Sequence, residues 1–256
     1  MSAAGAPRRG RRALIVTAIV VVLLVVAAVV GDAVARRAVA DQAATSIREA
    51  LSLPADHPVD VEVAGWAVLP QLVAGRLDRL DIRSDDVAFG DLNGDVDASL
   101  VGVPASGSGA LDSGTATVAL DPASVSDLVA ARSEVPIDGV TLDPPLVRVN
   151  TSVEVLGLSL AAGVGIELAA ADGAIELTPS EVTVAGTTIA AADVEDRFGG
   201  VADGLLGPRS VCIADSVPQG LTLTDAVVSA ESLDATFALA PTFLSDPAQQ
   251  ETGVCS

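Results

Sequence analysis

The chain contains few residues that could carry out nucleophilic or acid–base chemistry. His57 is its only histidine and lies between Asp56 and Pro58, after a predicted helix. A Ser-His-Asp or Cys-His site would have to use this residue, whereas the setting is typical of a solvated loop. The G-x-S-x-G motif of one large hydrolase class is absent. We therefore predict a protein that is not an enzyme and that needs no cofactor.

The acidic residues do not form a recognisable catalytic or metal site. Asp85 and Asp86 are adjacent, so on a strand they point to opposite faces. The run Asp91–Asp95 resembles a calcium loop, but its glycine comes two positions too early and Gly102 stands where the bidentate glutamate belongs. The pattern favours a hairpin turn at Asn93-Gly94 over a weak cation site, and we expect no bound metal.

Three arginines, Arg76, Arg79 and Arg83, fall within eight residues of an otherwise acidic region. Guanidinium groups bind phosphate with charge-assisted hydrogen bonds, so these side chains could contact a lipid headgroup. A solvated strand face is the alternative.

Charge separates the N-terminus from the rest of the chain. The total is −20; six arginines against Asp32 give the first 37 residues +5, which leaves −25 for the remainder. So acidic a domain is repelled by nucleic acid, and a nucleic-acid partner is excluded.

The basic N-terminus is followed by an apolar segment that is long enough to span a membrane. Residues 13–30 are 18 consecutive residues without a charge, roughly 27 Å of helix, close to the hydrocarbon thickness of a bilayer. Four arginines precede it, which places that side in the cytoplasm. We predict a basic cytoplasmic N-terminus at 1–12, a transmembrane signal-anchor at 13–31 and an extracytoplasmic domain at 38–256. A signal peptide cleaved near Ala33-Val34-Ala35 is the alternative.

Two cysteines, Cys212 and Cys255, agree with export across the membrane. In an exported domain they most simply form one disulfide. A metal site is a poor alternative, because the thiols do not form a C-x-x-C pair and only one histidine is available.

Helical patterns are few. Residues 38–53 carry an apolar side chain at every fourth position from Val39 to Leu51, and Pro54 follows, so a helix is predicted to end there. Further helices are predicted at Leu69–Gly75, after Asp121-Pro122, and at Ala191–Leu206, where Val194, Phe198, Val201 and Leu205 form one stripe.

Strand patterns fill most of the remainder. Val59, Val61 and Val63 alternate with other residues, as in a half-buried strand. Between residues 140 and 185, short Val/Leu/Thr-rich runs alternate with turn signals at Pro144-Pro145, Asp172-Gly173 and Pro179, which predicts an antiparallel meander. The order of elements indicates an α+β fold with one long curved antiparallel sheet and few helices.

Several motifs in order resemble a known family. They are a V-x-V-x-G-aromatic strand ending at Trp66, the segment L-P-Q-L-x-x-G-R-L from Leu69, the turn V-x-F-G-D-L from Val87, and S-V-C-I-A-D-S-V-P-Q-G-L-T-L-T-D-A from Ser210. Together they resemble the actinobacterial LmeA-like phospholipid-binding family over about residues 38–256. The terminal Gly253-Val254-Cys255 resembles that family's G-x-C ending and supports pairing of the two cysteines.

The resemblance implies a tubular lipid-binding fold, similar to that of BPI, in which a long antiparallel sheet wraps one or two helices and leaves an apolar groove. Phospholipid is then the expected ligand. Apolar side chains of the corresponding segments become groove candidates, although each aromatic one could equally be core: Trp66, Leu69, Leu72, Phe89, Val194, Phe198, Val201, Leu205 and Phe237.

Three functions remain to be separated. The favoured one is an anchored envelope protein that stores, presents or transfers phospholipid without covalent chemistry. A membrane-anchored scaffold that assists envelope glycolipid or cell-wall assembly shares every sequence feature, and its protein partners are unknown. A lipid-acting hydrolase is least favoured, because no nucleophile–base pair is visible in the sequence.

Overall fold

The computed structural model describes residues 8–51, 53–89, 92–132, 136–155, 158–171, 173–199 and 206–255. Over these ranges the chain is built of antiparallel strands with a few helices, which confirms the α+β class. The helices are α1 Arg8–Ala50, α2 Val68–Ala74, α3 Pro122–Arg132 and α4 Ala191–Phe198, with a 3-10 turn at Pro247–Gln250. The strands are β1 Asp60–Val63, β2 Arg76–Phe89, β3 Leu92–Pro104, β4 Ser113–Leu120, β5 Gly139–Asp143, β6 Leu146–Val155, β7 Leu158–Ala171, β8 Ala174–Val184, β9 Thr187–Ala190, β10 Arg209–Val211, β11 Leu221–Val228 and β12 Leu233–Leu239.

The strands form two sheets rather than the single long sheet that the sequence suggested. The first sheet has the order β1-β2-β3-β4-β12-β11, so the last two strands of the chain join the first four. The second sheet has the order β10-β8-β7-β6-β5, with β9 also paired to β8. A sequence predicts strands but not which distant strands pair. Because β12 pairs with β4, the last two strands join the first sheet, and the strands between β4 and β11 form a separate one.

The first sheet packs its apolar face against α1. Ala44 of that helix is buried among strand residues such as Val63, Leu80 and Leu100, and the predicted stripe that includes Ile47 packs beside it. The predicted helix at 38–53 is therefore confirmed, but it is not a separate element. It continues without a break from the apolar N-terminal segment in one helix of 43 residues.

Helix α2 is held to the first sheet by a buried glutamine. The Gln71 amide donates to the carbonyls of Ala64 and Ala67 at 3.1 and 3.0 Å, and its oxygen accepts from the Asp78 N–H at 2.8 Å. Gly65 has φ +106° and lies against Gln71, where a Cβ atom would come within 2.3 Å of the amide nitrogen. Glycine at this position therefore lets α2 pack closely beside β1.

Two turn predictions were wrong. Asn93 and Gly94 lie within β3, opposite Ala88 and Val87, so they do not form the turn between β2 and β3. Gly94 has a packing role, since a Cβ atom there would lie 2.9 Å from the Ala119 carbonyl oxygen. Pro179 likewise lies inside β8, at a register shift opposite β7.

The two cysteines are paired. Cys212 and Cys255 form a disulfide with their Cα atoms 5.9 Å apart, which confirms the prediction. Cys212 directly follows β10 of the second sheet, and Cys255 lies in the segment that follows β12 of the first. The bond therefore links the two sheets.

Within the part of the chain that the structure describes, no helix combines the length and the apolar character needed to cross a membrane. The predicted span at 13–31 begins among residues 8–19, whose side chains lie outside the described set.

Candidate functional site

The register of the second sheet gathers apolar side chains on one face. Directly opposed residues share a face, and Val164 opposes Val182 while Leu168 opposes Leu177. The resulting apolar face comprises Val140, Leu142, Val147, Val149, Leu160, Val164, Ile166, Leu168, Ile175, Leu177, Val182, Val184 and Ile189.

Exposure rises along this apolar face. At one end Val147 is 5% exposed, whereas at the other end Leu160 is 36% and Val184 is 48% exposed. Most of the face between them is half-buried. A face of this kind is covered at one end and open at the other.

The covered end is closed by helix α3 and the first sheet. Val125 of α3 and Val228 of β11 are buried with Val147, and Leu120 and Leu233 pack against them. The helix begins where the sequence predicted, since the Ser124 N–H donates to the Asp121 carboxylate at 2.6 Å. That hydrogen bond, with a second from the Ser124 hydroxyl, lowers the pKa of Asp121.

The opposite face of the second sheet is polar. The Arg148 guanidinium lies 2.7 Å from Asp143 and 2.8 Å from Glu181, and hydrogen bonds to these carboxylates, first to Asp143, raise the pKa of Arg148. Arg148 reaches Glu181 across Gly165 of β7, where a Cβ atom would lie 3.6 Å from the guanidinium. The second sheet thus has one polar face and one apolar face.

The three candidate headgroup arginines lie on β2 of the first sheet, and each has a carboxylate partner. Arg76 pairs with Asp112 at 2.7 Å, Arg79 with Asp81 at 3.2 Å and Arg83 with Asp97 at 2.6 Å. The hydrogen bond that Arg83 donates to Asp97 also raises the pKa of Arg83. A lipid phosphate would have to compete with these carboxylates, and the headgroup role stays a prediction.

The predicted groove residues lie in three different parts of the fold. Phe237 of β12 is buried in the first sheet, Val194 is half-buried on α4, and Leu72 is half-buried on α2. Trp66, two residues before α2, and Leu69 of α2 are exposed. Helix α4 ends at Phe198, and the side chains of Phe89 and Phe198 together with Val201 and Leu205 lie outside the described residues.

The open part of the apolar face was missed in the sequence. Its signal was present, because apolar residues alternate along β7 from Leu160 through Val164 to Leu168. Alternation predicts one apolar face for each strand, but only the strand register shows that these faces coincide and that their outer end is uncovered.

His57 lies in a loop, as predicted, but it is half-buried there and makes a structural contact. Its Nε2 lies 3.1 Å from the hydroxyl of buried Ser84, and that hydroxyl donates to the Pro58 carbonyl at 3.0 Å. These bonds fasten the loop before β1 to β2. Across the described ranges, no group of three or more histidine, cysteine or carboxylate side chains is arranged to hold a metal ion.

Comparison with curated proteins finds no match, and neither does comparison with solved structures. A family model described as LmeA-like phospholipid-binding matches residues 30–238. The match runs from the end of the apolar N-terminal segment to β12 and includes both sheets. The chain therefore belongs to the LmeA-like phospholipid-binding family.

Proposed function

We propose that this protein binds a phospholipid with its acyl chains along the apolar face of the second sheet. Family membership supports lipid binding. The observation that carries the location is the rise in exposure from Val147 to Leu160 and Val184. An apolar wall that water reaches at one end suits a ligand with an apolar tail and a polar head.

The gradient also gives the lipid an orientation. Each methylene removed from water contributes about 0.8 kcal/mol, so the tails lie toward the covered end beside Val125 and Val147. The headgroup then lies toward Val184, where water is accessible. No covalent step is involved, and the protein stores, presents or transfers its lipid.

The same proposal places the protein at the outer surface of the cell membrane. The uncharged segment 13–30 with its preceding arginines supports an uncleaved anchor, and the side chains of Val20–Val26 on α1 are all exposed apolar groups. The domain at 38–256 then lies outside the cytoplasm.

The test compares two adjacent residues of β8. Val184 lies at the open end of the apolar face and is already half exposed, so Val184→Asp leaves the fold intact but places a carboxylate beside the lipid phosphate. Lipid affinity should fall about tenfold or more, since the carboxylate repels the phosphate and takes away an apolar contact. Thr183→Asp, one residue away on the opposite face, should bind normally. Uptake of fluorescent phospholipid by delipidated protein measures both.

Native mass spectrometry of the purified protein supplies the independent measurement, with about one phospholipid retained for each chain. If delipidated protein neither takes up phospholipid nor is stabilised by it, lipid binding fails and the scaffold function is favoured. Equal loss in both β8 variants would instead place the lipid elsewhere.

A further inference from the structure

Beside α2 there is a second exposed apolar surface, separate from the apolar face of the second sheet. Trp66 and Val73 are each 90% exposed and Leu69 is 40% exposed. Leu69 and Val73, four residues apart, lie on one side of α2, while Val68 and Gln71 on its other side are buried. Trp66 lies two residues before the start of the helix. We call Trp66, Leu69 and Val73 the α2 tip.

The α2 tip is held to α1 by hydrogen bonds to two residues of that helix, Asp32 and Arg36. The Asp32 carboxylate accepts hydrogen bonds from the N–H groups of Val68 and Leu69 at 2.5 and 2.9 Å. These bonds, that from Leu69 foremost, lower the pKa of Asp32. Arg36, one turn later, donates to the carbonyls of Val63 and Gly65.

Asp32 and Arg36 lie just after the apolar segment of α1. Asp32 comes two residues after Val30, about 3 Å of helix rise. A Cβ atom on Gly31 would lie 3.7 Å from the Leu69 side chain, so the tip begins where the uncharged run of α1 ends. Because α1 is unbroken through this point, the tip cannot swing away from the segment without breaking the Asp32 and Arg36 hydrogen bonds.

We propose that the α2 tip is a membrane-contact surface, with Trp66, Leu69 and Val73 seated in the interface of the bilayer that α1 enters. Tryptophan is enriched at this depth, where its ring is in apolar surroundings and its N–H reaches water. The contact rests on the proposed anchor. It would hold the domain at a set height and tilt above the lipids from which it loads.

Trp66 is the only tryptophan of the chain, so its fluorescence reports the tip directly. The full chain is reconstituted into phosphatidylcholine vesicles whose lipids are brominated either high or low on the acyl chain. Trp66 emission should be quenched, more strongly by the high bromines, and acrylamide in the water should quench it poorly. Val73→Asp should weaken the lipid quenching. Val227→Asp, at an exposed valine on β11 at the other edge of the first sheet, should leave it unchanged.

Flotation of the same vesicles after a carbonate wash separates the two proposals. A chain that stays with the lipid but whose Trp66 is quenched by acrylamide and not by bromine overturns the tip and leaves the anchor standing. Shielding from both quenchers also overturns it, since a protein then covers the tip. A chain that does not stay with the vesicles overturns the anchor, and the tip contact with it.

Discussion

The two sheets are made of similar residues, but their apolar faces are covered differently. The apolar face of the first sheet is covered by α1 at one end, where Ala44 is buried against Val63 and Leu80, and by α3 and the second sheet at the other. The apolar face of the second sheet is covered at one end by α3 and becomes exposed toward Val184. The apolar face of the first sheet is therefore covered at both ends, and that of the second sheet at only one.

The difference shows that an apolar strand face becomes a core or a binding surface according to what packs on it. The helix on the first sheet comes from the same chain and is permanent. In the proposed function, a phospholipid on the open end of the second sheet takes the place that a helix occupies on the first. Substitutions in the two regions should therefore separate stability from lipid affinity.

The largest effect is expected at the bond that joins the two sheets. Removing the Cys212–Cys255 link, with a sequence separation of 43, should lower the free energy of unfolding by about 4 kcal/mol on the chain-entropy model. Cys212→Ser, Cys255→Ser and the double variant should lose similar amounts, because each removes the same bond. Denaturant unfolding measures this, and additive losses would show that the thiols act separately.

A pair of leucines tests the comparison itself. Leu80 is buried in the first sheet, so Leu80→Ala should cost about 2–5 kcal/mol of unfolding free energy. Leu160→Ala, at the open end of the second sheet, should cost about 1 kcal/mol or less in the lipid-free protein, because little packing is lost there. It should nevertheless weaken lipid uptake. Equal destabilisation by the two variants would mean that the second sheet is closed like the first.

A smaller effect is expected at the helix that covers the second sheet. Asp121→Ala removes the cap of α3 and should cost about 1 kcal/mol. Asp127→Ala, on the same helix, is the matched control and should change stability little. The two variants are compared by thermal and denaturant unfolding at neutral pH.

The contribution of Asp121 should depend on pH. Hydrogen bonds from Ser124 lower its pKa in the folded protein, so the stabilisation is present above the unfolded pKa of about 3.9. It is lost as the pH falls through the lower folded pKa. The stability gap between the native protein and Asp121→Ala should therefore close in acid, and a gap that persists below that pKa would contradict the capping role.

Local patterns predicted most elements of the fold. The four-residue stripe of residues 38–53, the Asp121-Pro122 helix start and the alternation in the meander all appear where expected, because each depends on near neighbours. The turn prediction at Asn93-Gly94 was wrong because this pair, which favours turns, lies inside β3, where Gly94 lets the strand pack closely against Ala119. The groove residues were chosen for being aromatic or helical, whereas the open apolar face is built from aliphatic side chains on strands.

By itself the sequence determined the α+β class, the separation of a basic, apolar N-terminus from an acidic domain, the cysteine pair and the family. These follow from composition, periodicity and motif order, which need no knowledge of distant contacts. Only the tertiary structure decided that β12 returns to β4, that the apolar face of the second sheet is open at Val184, and that Asp32 joins the α2 tip to α1. Each of these depends on which distant segments meet, and that is settled by packing of the whole chain.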